Sequence, residues 1–146
     1  MKDKKIIITS GFFNPIHIGH INLIKGAKEL GDFLIVIVNN DNQVKVKGSI
    51  EFMPEQERAE IVKALGCVDE VFLSIDSDGS VAKSLEAIAL KFSTNKLIFA
   101  KGGDRNIDNI PKSERDVCLK FNIEIVSSVG GYKIHSSSWL LKNKRL

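Results

Sequence analysis

The sequence has few of the features that mark membrane-spanning, disulfide-linked or nucleic-acid-binding proteins. Its apolar runs all fall short of the roughly 20 residues needed to span a bilayer. The two cysteines, Cys67 and Cys118, are far apart and lack metal-ligand spacing, so we expect two reduced thiols in a cytoplasmic protein. The formal net charge of +3 suits a small anionic substrate but is too small to indicate a nucleic-acid partner.

The rest of the composition is ordinary for a globular protein. Hydrophobic residues make up 43% and charged residues 27% of the 146 positions, and a chain of this length buries a sizeable core. The charged residues 1–5 lead directly into an apolar strand, so no signal peptide is expected. We therefore expect a single domain over residues 1–146.

Strand-like and helix-like segments alternate along the chain. Apolar runs predict strands at residues 6–8, 33–38, 68–73, 96–100 and 123–126. Helical spacing and caps predict helices at residues 18–30, from Pro54 onward, at 81–92, at 112–121 and from Ser136 to Leu141. This alternation predicts an α/β fold, a Rossmann-like doubly wound parallel five-stranded sheet with helices on both faces.

Polar segments follow the carboxyl ends of the predicted strands. They are the stretch from His17 to His20, the polar loop 39–52, the loop 76–80 and the loop 101–105. Ligands of open α/β sheets bind at this edge of the sheet. We therefore expect the four segments to meet in one cleft.

His17 and His20 are the most distinctive polar residues of these segments. They are three residues apart at a helix start, so both rings can face one side, and Gly19 between them allows a ligand to approach the backbone. No cysteine or carboxylate accompanies them at metal-binding spacing, which argues against zinc. The pattern favours a phosphate site at the helix N-terminus, and the alternative is one helix-capping and one core histidine.

Residues 11–20, Gly-Phe-Phe-Asn-Pro-Ile-His-Ile-Gly-His, resemble the GxFxxxHxGH signature of the nucleotidyltransferase superfamily of cytidylyltransferases and related adenylyltransferases. The resemblance covers nearly the whole chain. Its further landmarks, in the same order, are Lys47-Gly48, Arg58, Val68-Asp69-Glu70-Val71, Lys101-Gly102-Gly103-Asp104 and Ser136-Ser137-Ser138.

The resemblance implies an enzyme in which a substrate phosphate attacks the α-phosphorus of CTP or ATP and pyrophosphate leaves, with Mg²⁺ as cofactor. It implies that His17 and His20 stabilise the transition state and that Lys47 grips the reacting phosphates from a mobile loop. Lys45 would face the same side if that loop is extended. Other implied nucleotide contacts are Gly11, Phe12, Phe13, Asn14, Gly19, Arg58, Asp69, Gly102, Gly103, Asp104, Ser136, Ser137 and Ser138, with Asp104 also a metal ligand.

Several of these positions have simpler interpretations. Lys45 and Lys47 are typical of a solvated surface, and the serine triplet of a helix cap. Asp69 resembles a residue near the base, but aspartate at a strand start is also a common loop residue. The position of Arg58 in the family pattern implies a phosphate contact. Alternatively, Arg58 pairs with Glu55 on an exposed helix face.

The chain also departs from the family pattern. Asn14 stands where many relatives have aspartate, and an amide can still orient a loop. Two arginines that several cytidylyltransferases carry are absent from this sequence, and Gly66 occupies the position of one of them. The base therefore stays open between cytosine and adenine. The expected acceptor is a small phosphorylated or phosphonylated compound such as a sugar or polyol phosphate, the expected assembly is a homodimer, and the alternative function is a nucleotide-binding regulator that has lost turnover.

Overall fold

Five parallel strands form the centre of the computed structural model, which describes residues 3–103 and 107–131. They are β1 (Lys5–Gly11), β2 (Phe33–Val38), β3 (Glu70–Leu73), β4 (Lys96–Gly102) and β5 (Glu124–Val129). The strand order is β3-β2-β1-β4-β5, and all neighbours pair in parallel. This order has its switch point between β1 and β4, which confirms the predicted doubly wound α/β fold.

Helices connect the strands in this part of the chain. They are α1 (Ile18–Glu29), α2 (Asp41–Val46), α3 (Glu55–Lys63), α4 (Ala82–Lys91) and α5 (Lys112–Lys120), with a short 3₁₀ turn at Ile107–Asn109. Four of them match the predicted helices to within a few residues. The helix predicted from Ser136 lies outside the described residues.

Helix α2 corrects the prediction of a loop throughout residues 39–52. The Asn40 side chain accepts the Gln43 backbone N–H at 2.9 Å, and Gln43 Oε1 accepts the Asn40 N–H at 3.0 Å. This reciprocal pair is a capping box, which stabilises a helix start. Val44, on the same turn, is fully buried. The asparagine-rich residues 39–42, which are typical of a loop, here form a helix cap and the start of a short helix that buries Gln43 and Val44.

Side chains of β1 alternate between two hydrophobic clusters, one on each face of the sheet. Ile6 and Ile8 pack with α4 and α5, whereas Ile7 packs with α1 and α3. Every residue of β2 after Phe33 is fully buried, as expected of a parallel strand that helices cover on both faces. The sheet is therefore a rigid platform whose carboxyl edge presents the loops.

None of the helices in the described ranges has both the length and the apolar character that crossing a membrane requires.

The chain after β5 packs closely on α1. Gly130 has a φ of +82°, and a Cβ there would lie 2.8 Å from the backbone carbonyl of Asn22. Only glycine adopts this conformation at such a distance without strain. The last described residues therefore leave the sheet beside the first turns of α1.

Candidate active site

The turn between β1 and α1 forms the floor of the candidate site. Phe13 has a φ of +52° and a fully buried ring, which lies edge-on to the His20 ring at 4.8 Å between centres. A Cβ on Gly11 would lie 2.8 Å from the Phe13 ring. The Phe13 ring therefore supports His20 from inside the core, and the nucleotide contact implied for this residue stays a prediction.

His17 and His20 cap α1 together. Gly19 N–H donates to His17 Nδ1, and His17 N–H donates to His20 Nδ1, each at 3.1 Å. The ring centres are 3.9 Å apart, with planes 31° from parallel. A nitrogen that accepts an N–H bond carries no proton, so each neutral ring has its proton on Nε2. Both rings therefore cap the helix through Nδ1, whereas the alternative assigned one of them to the core. Their Nε2–H groups are donors at a helix end that favours anions.

Lys47 is the C-cap of α2 and is exposed. Its ammonium lies 4.4 Å from the centre of the Phe12 ring, which brings it to the β1–α1 turn that also carries the histidines. Lys45 is exposed in the last turn of α2. Residues two apart differ by about 200° around a helix axis, so the expectation that Lys45 and Lys47 face the same side is wrong.

Asn14 joins the β1–α1 turn to residues 50–53. Its Nδ2 donates to the Ile50 carbonyl at 2.8 Å, and its Oδ1 accepts the N–H groups of Phe52 at 2.7 Å and Met53 at 3.2 Å. The residue is 3% exposed. Its side chain therefore orients a loop, as an amide can, and is not positioned as a nucleotide contact.

Arg58 lies beneath the site with no exposed surface. Its Nε donates to the Met53 carbonyl, Nη1 to the carbonyls of Phe12 and Asn39, and Nη2 to Asp41 Oδ1 at 2.7 Å. The guanidinium is enclosed by protein acceptors, and the phosphate contact implied by the resemblance stays a prediction. The alternative pairing with Glu55 is wrong, since Glu55 Oε1 accepts the Asp41 N–H instead.

Asp69 lies at the opposite edge of the sheet. Its carboxylate accepts the Leu34 N–H at 2.8 Å, at the amino end of β2, and pairs with Lys28 at 2.6 Å. Burial acts to raise the pKa of this carboxyl, but the bonds from Lys28 and Leu34 outweigh burial and lower it. These contacts are those of a structural aspartate at the amino end of the strands, which was the alternative interpretation, and a contact with the base stays a prediction.

The segments after β1, β2 and β3 meet at the carboxyl edge, whereas the fourth predicted segment, the loop 101–105, lies partly outside the described residues. Asn39 N–H donates to the Gly11 carbonyl at 3.0 Å. The Asn40 side chain donates to the carbonyls of Ser74 and Asp76, each at 2.9 Å. Gln43 donates to the carbonyls of Asp78 and Ser80 at 2.7 and 2.8 Å. The sequence analysis missed these amides, although a capping-box search would have selected Asn40 and Gln43.

Gly102 ends β4, and Gly103 follows it with a φ of +64°. A Cβ on Gly102 would lie 2.8 Å from Leu23 Cδ1. The close packing of Leu23, in α1, therefore explains the glycine at residue 102 without a nucleotide contact. The remaining predicted contacts, Asp104, Ser136, Ser137 and Ser138, lie outside the described residues.

The described side chains were tested as a metal site. Within residues 3–103 and 107–131, no group of three or more histidine, cysteine, aspartate and glutamate side chains could hold a metal ion. Mg²⁺ commonly keeps several waters and is bound through substrate phosphates and one or two carboxylates. These residues therefore fit a Mg²⁺ ion that arrives on a nucleotide, rather than one held in a protein cage.

Comparisons with known proteins agree with this geometry. The family model described as cytidylyltransferase-like matches residues 8–139. The FAD synthase of Thermococcus sibiricus is 38% identical over 90% of this chain and 86% of its own length. The bifunctional protein HldE of Koribacter versatilis is 33% identical over 89% of this chain, which spans only 26% of that protein.

A solved structure supports the same assignment. The lipopolysaccharide core biosynthesis protein of Thermoplasma volcanium superposes with a TM-score of 0.68 and 25% identity, covering 89% of this chain and 99% of its own. Fold, family model and relatives agree on a nucleotidyltransferase enzyme. This chain belongs to the cytidylyltransferase-like family.

Proposed function

We propose that this chain transfers the adenylyl group of ATP to a small phosphorylated acceptor. The observation that carries the proposal is the pair of histidines that accept backbone N–H groups at Nδ1, so that both Nε2–H groups are donors at the N-terminus of α1. Donors fixed in this way stabilise the negative charge that develops on a phosphate in the transition state.

In the proposed reaction, an oxygen of the acceptor phosphate attacks the α-phosphorus of ATP. The new P–O bond forms as the bond between the α-phosphorus and the bridging oxygen breaks, and pyrophosphate leaves with the electron pair. His17 and His20 donate hydrogen bonds to the α-phosphate and the bridging oxygen, and Lys47 offsets the charge of the two approaching phosphates. Positioning and charge neutralisation are the main contributions of a protein to such transfers.

Residues beyond the described part complete the proposal. Ser136, Ser137 and Ser138 would hold the β- and γ-phosphates, and Asp104 would contact Mg²⁺, which neutralises phosphate charge when bound. The position of Gly130 against Asn22 supports this assignment. Gly131, which is five residues before Ser136 in the sequence, leaves the sheet beside α1.

The relatives favour adenine over cytosine. FAD, the product named for the Thermococcus sibiricus relative, is FMN joined to AMP through a pyrophosphate, so an enzyme that makes it from FMN transfers an adenylyl group. We therefore propose ATP as the nucleotide and FMN as the first acceptor to test. A sugar or polyol phosphate is the second candidate, favoured by the resemblance of the Lys101–Asp104 loop to heptose-phosphate adenylyltransferases.

Pyrophosphate release tests the proposal. The purified protein is incubated with Mg²⁺, ATP or CTP, and FMN, sugar phosphates, glycerol phosphate or nicotinate mononucleotide. ATP with one acceptor is expected to release pyrophosphate, and His20→Ala is expected to lower kcat by about 10²–10³. Leu119→Ala, on the exposed surface of α5, is the matched control. Tight nucleotide binding with no pyrophosphate release for any acceptor would instead indicate a nucleotide-binding regulator that has lost turnover.

We also propose a homodimer in the cytoplasm. The homodimer follows from the resemblance to the family, and the location from the use of a nucleoside triphosphate and from two cysteines that form no disulfide. Light scattering across a concentration series measures the assembly. A monomer at every concentration would contradict the first part of this proposal without affecting the reaction.

A further inference from the structure

Three large apolar side chains project into solvent from residues 46–52, the segment that carries Lys47. Val46 is 60% exposed, Ile50 81% and Phe52 53%. Single exposed apolar residues are normal on protein surfaces, whereas a group of them beside a polar site indicates a binding surface. The other residues of the segment are Lys47, Gly48, Ser49 and Glu51.

Buried polar side chains fix the end of this segment. Asn14 bonds the backbone of Ile50, Phe52 and Met53, and Arg58 bonds the Met53 carbonyl at 2.9 Å. Asn14 and Arg58 are themselves buried. The backbone under Ile50 and Phe52 is therefore anchored from below, which fixes where both side chains emerge and lowers the conformational entropy lost when a ligand binds there.

The segment is also tied directly to the reacting end of the site. Asn14 lies three residues before His17, and Lys47, five residues before Phe52, stands over the Phe12 ring. A phosphate that contacts Lys47 therefore lies beside the chain segment that also carries Ile50 and Phe52. Apolar side chains at that place cannot bond the hydroxyls of a sugar, but they pack well against a flat ring system.

We propose that Ile50 and Phe52 form an acceptor wall, a surface that binds the flat apolar part of the acceptor, with Asn14 as its positioning residue. This inference rests on the proposed function and deepens it, since it assigns the acceptor class to named residues. The occupant is an aromatic ring system that carries a phosphate, and FMN is the probe. The wall selects such an acceptor over a sugar phosphate.

Flavin fluorescence tests the wall without any turnover. FMN is titrated into the protein in the absence of ATP, and its Kd is compared among wild type, Phe52→Ala, Ile50→Ala and the control Leu119→Ala. Phe52→Ala is expected to raise the Kd for FMN at least tenfold and to leave the Kd for ATP unchanged. Phe52→Tyr is expected to restore binding because it keeps the aromatic face. An unchanged Kd in Phe52→Ala overturns the proposal.

Asn14→Asp tests the positioning role. A carboxylate still accepts the N–H groups of Phe52 and Met53 but cannot donate to the Ile50 carbonyl. We expect the KM for FMN to rise at least fivefold while the KM for ATP stays constant, and Phe52→Ala to add little in the double variant. A fall in melting temperature with an unchanged ratio of the two KM values assigns Asn14 a purely structural role and overturns this part.

The remaining outcomes separate the two proposals. Turnover of sugar phosphates but not of FMN overturns the acceptor wall and leaves adenylyl transfer standing. No pyrophosphate with any acceptor, together with FMN binding that depends on Phe52, removes the proposed function and supports the wall. If Phe52→Ala dissociates an oligomer without changing FMN affinity, the surface is a subunit interface and the wall is overturned.

Discussion

Each catalytic histidine of the proposed reaction has two separable tasks at the scale of a single residue. His17 Nδ1 caps α1 by accepting the Gly19 N–H, and its Nε2–H is the proposed phosphate donor. Serine also caps helices well, but its side chain is too short to replace the imidazole. We expect His17→Ser to keep the melting temperature near that of wild type and to lower kcat by about 10²–10³.

His17→Ala completes this comparison, because alanine provides neither function. It is expected to lose the same activity and also about 1 kcal/mol of unfolding free energy, the usual cost of a missing cap. Thermal denaturation and pyrophosphate release, measured on the same preparations, separate the two tasks. Full turnover in His17→Ser would contradict the proposed donor role.

Arg58 is expected to affect stability rather than nucleotide affinity. Replacement by methionine leaves the carbonyls of Phe12, Asn39 and Met53 and the Asp41 carboxylate without their donors. Loss of one partner from such a buried polar group costs about 3–5 kcal/mol. Urea denaturation of Arg58→Met is expected to show a loss of this size. A normal unfolding free energy with a raised KM for ATP would instead restore the phosphate role.

At the scale of elements, the extent to which a helix or strand is buried decides whether the sequence pattern predicts it. β2 was predicted with its observed bounds, Phe33–Val38, because a strand buried on both faces is an unbroken apolar run. Helix α2 was missed because its six residues are polar apart from two valines and its cap resembles a loop. Apolar periodicity predicts elements only where they are long or wholly buried.

The site was predicted in part for a related reason. The motif places His17 and His20 correctly at a helix start, because the strand, turn and helix are local in sequence. The protein partners of Asp69 and Arg58 were not predicted, because sequence register does not tell whether a polar side chain faces a ligand or the backbone. That choice depends on long-range packing, such as the approach of Asp69 to Leu34.

The packing of α1 on the end of β5 gives a prediction with a matched control. Gly130 and Gly131 have similar φ values, +82° and +85°. A Cβ on Gly130 would lie 2.8 Å from the Asn22 carbonyl, whereas a Cβ on Gly131 would have no described atom within 4 Å. Gly131→Ala is expected to cost about 1 kcal/mol for backbone strain. Gly130→Ala adds a steric cost of about 1–3 kcal/mol. Equal losses in urea denaturation would contradict this contact.

At the scale of the whole molecule, the two edges of the sheet carry different chemistry. The carboxyl edge presents the histidines and the loops that meet them. At the amino edge, Asp32 Oδ2 accepts the Lys5 N–H at 2.9 Å, and Asp69 binds Lys28 and the backbone of β2. Polar groups at the amino edge therefore stabilise strand pairing, whereas Asn14, Asn40, Gln43 and Arg58 at the carboxyl edge fix the loops around the histidines.

The core itself gives a pH-dependent prediction through Cys118. Burial, and then the Glu114 carboxylate, raise the pKa of this thiol to about 12, against an opposing effect of Lys101. In the unfolded chain the thiol ionises near pH 8.5. Between these values the folded state holds a proton that the unfolded state has lost, so stability falls as the pH rises through this window.

The size of this effect follows from about 1.4 kcal/mol per pH unit, the value of one pKa unit. Between pH 8.5 and pH 10 the thiol is expected to lower the unfolding free energy by about 2 kcal/mol. Urea denaturation of wild type and Cys118→Ala over this range measures how steeply the unfolding free energy of each protein falls with pH. The other groups that titrate at alkaline pH are the same in both proteins, so the difference between the two slopes belongs to Cys118. Cys118→Ala is expected to lose less stability with rising pH, because alanine does not ionise. Parallel pH profiles for the two proteins would show that the Cys118 thiol ionises equally in both states, in contradiction of its burial beside Glu114.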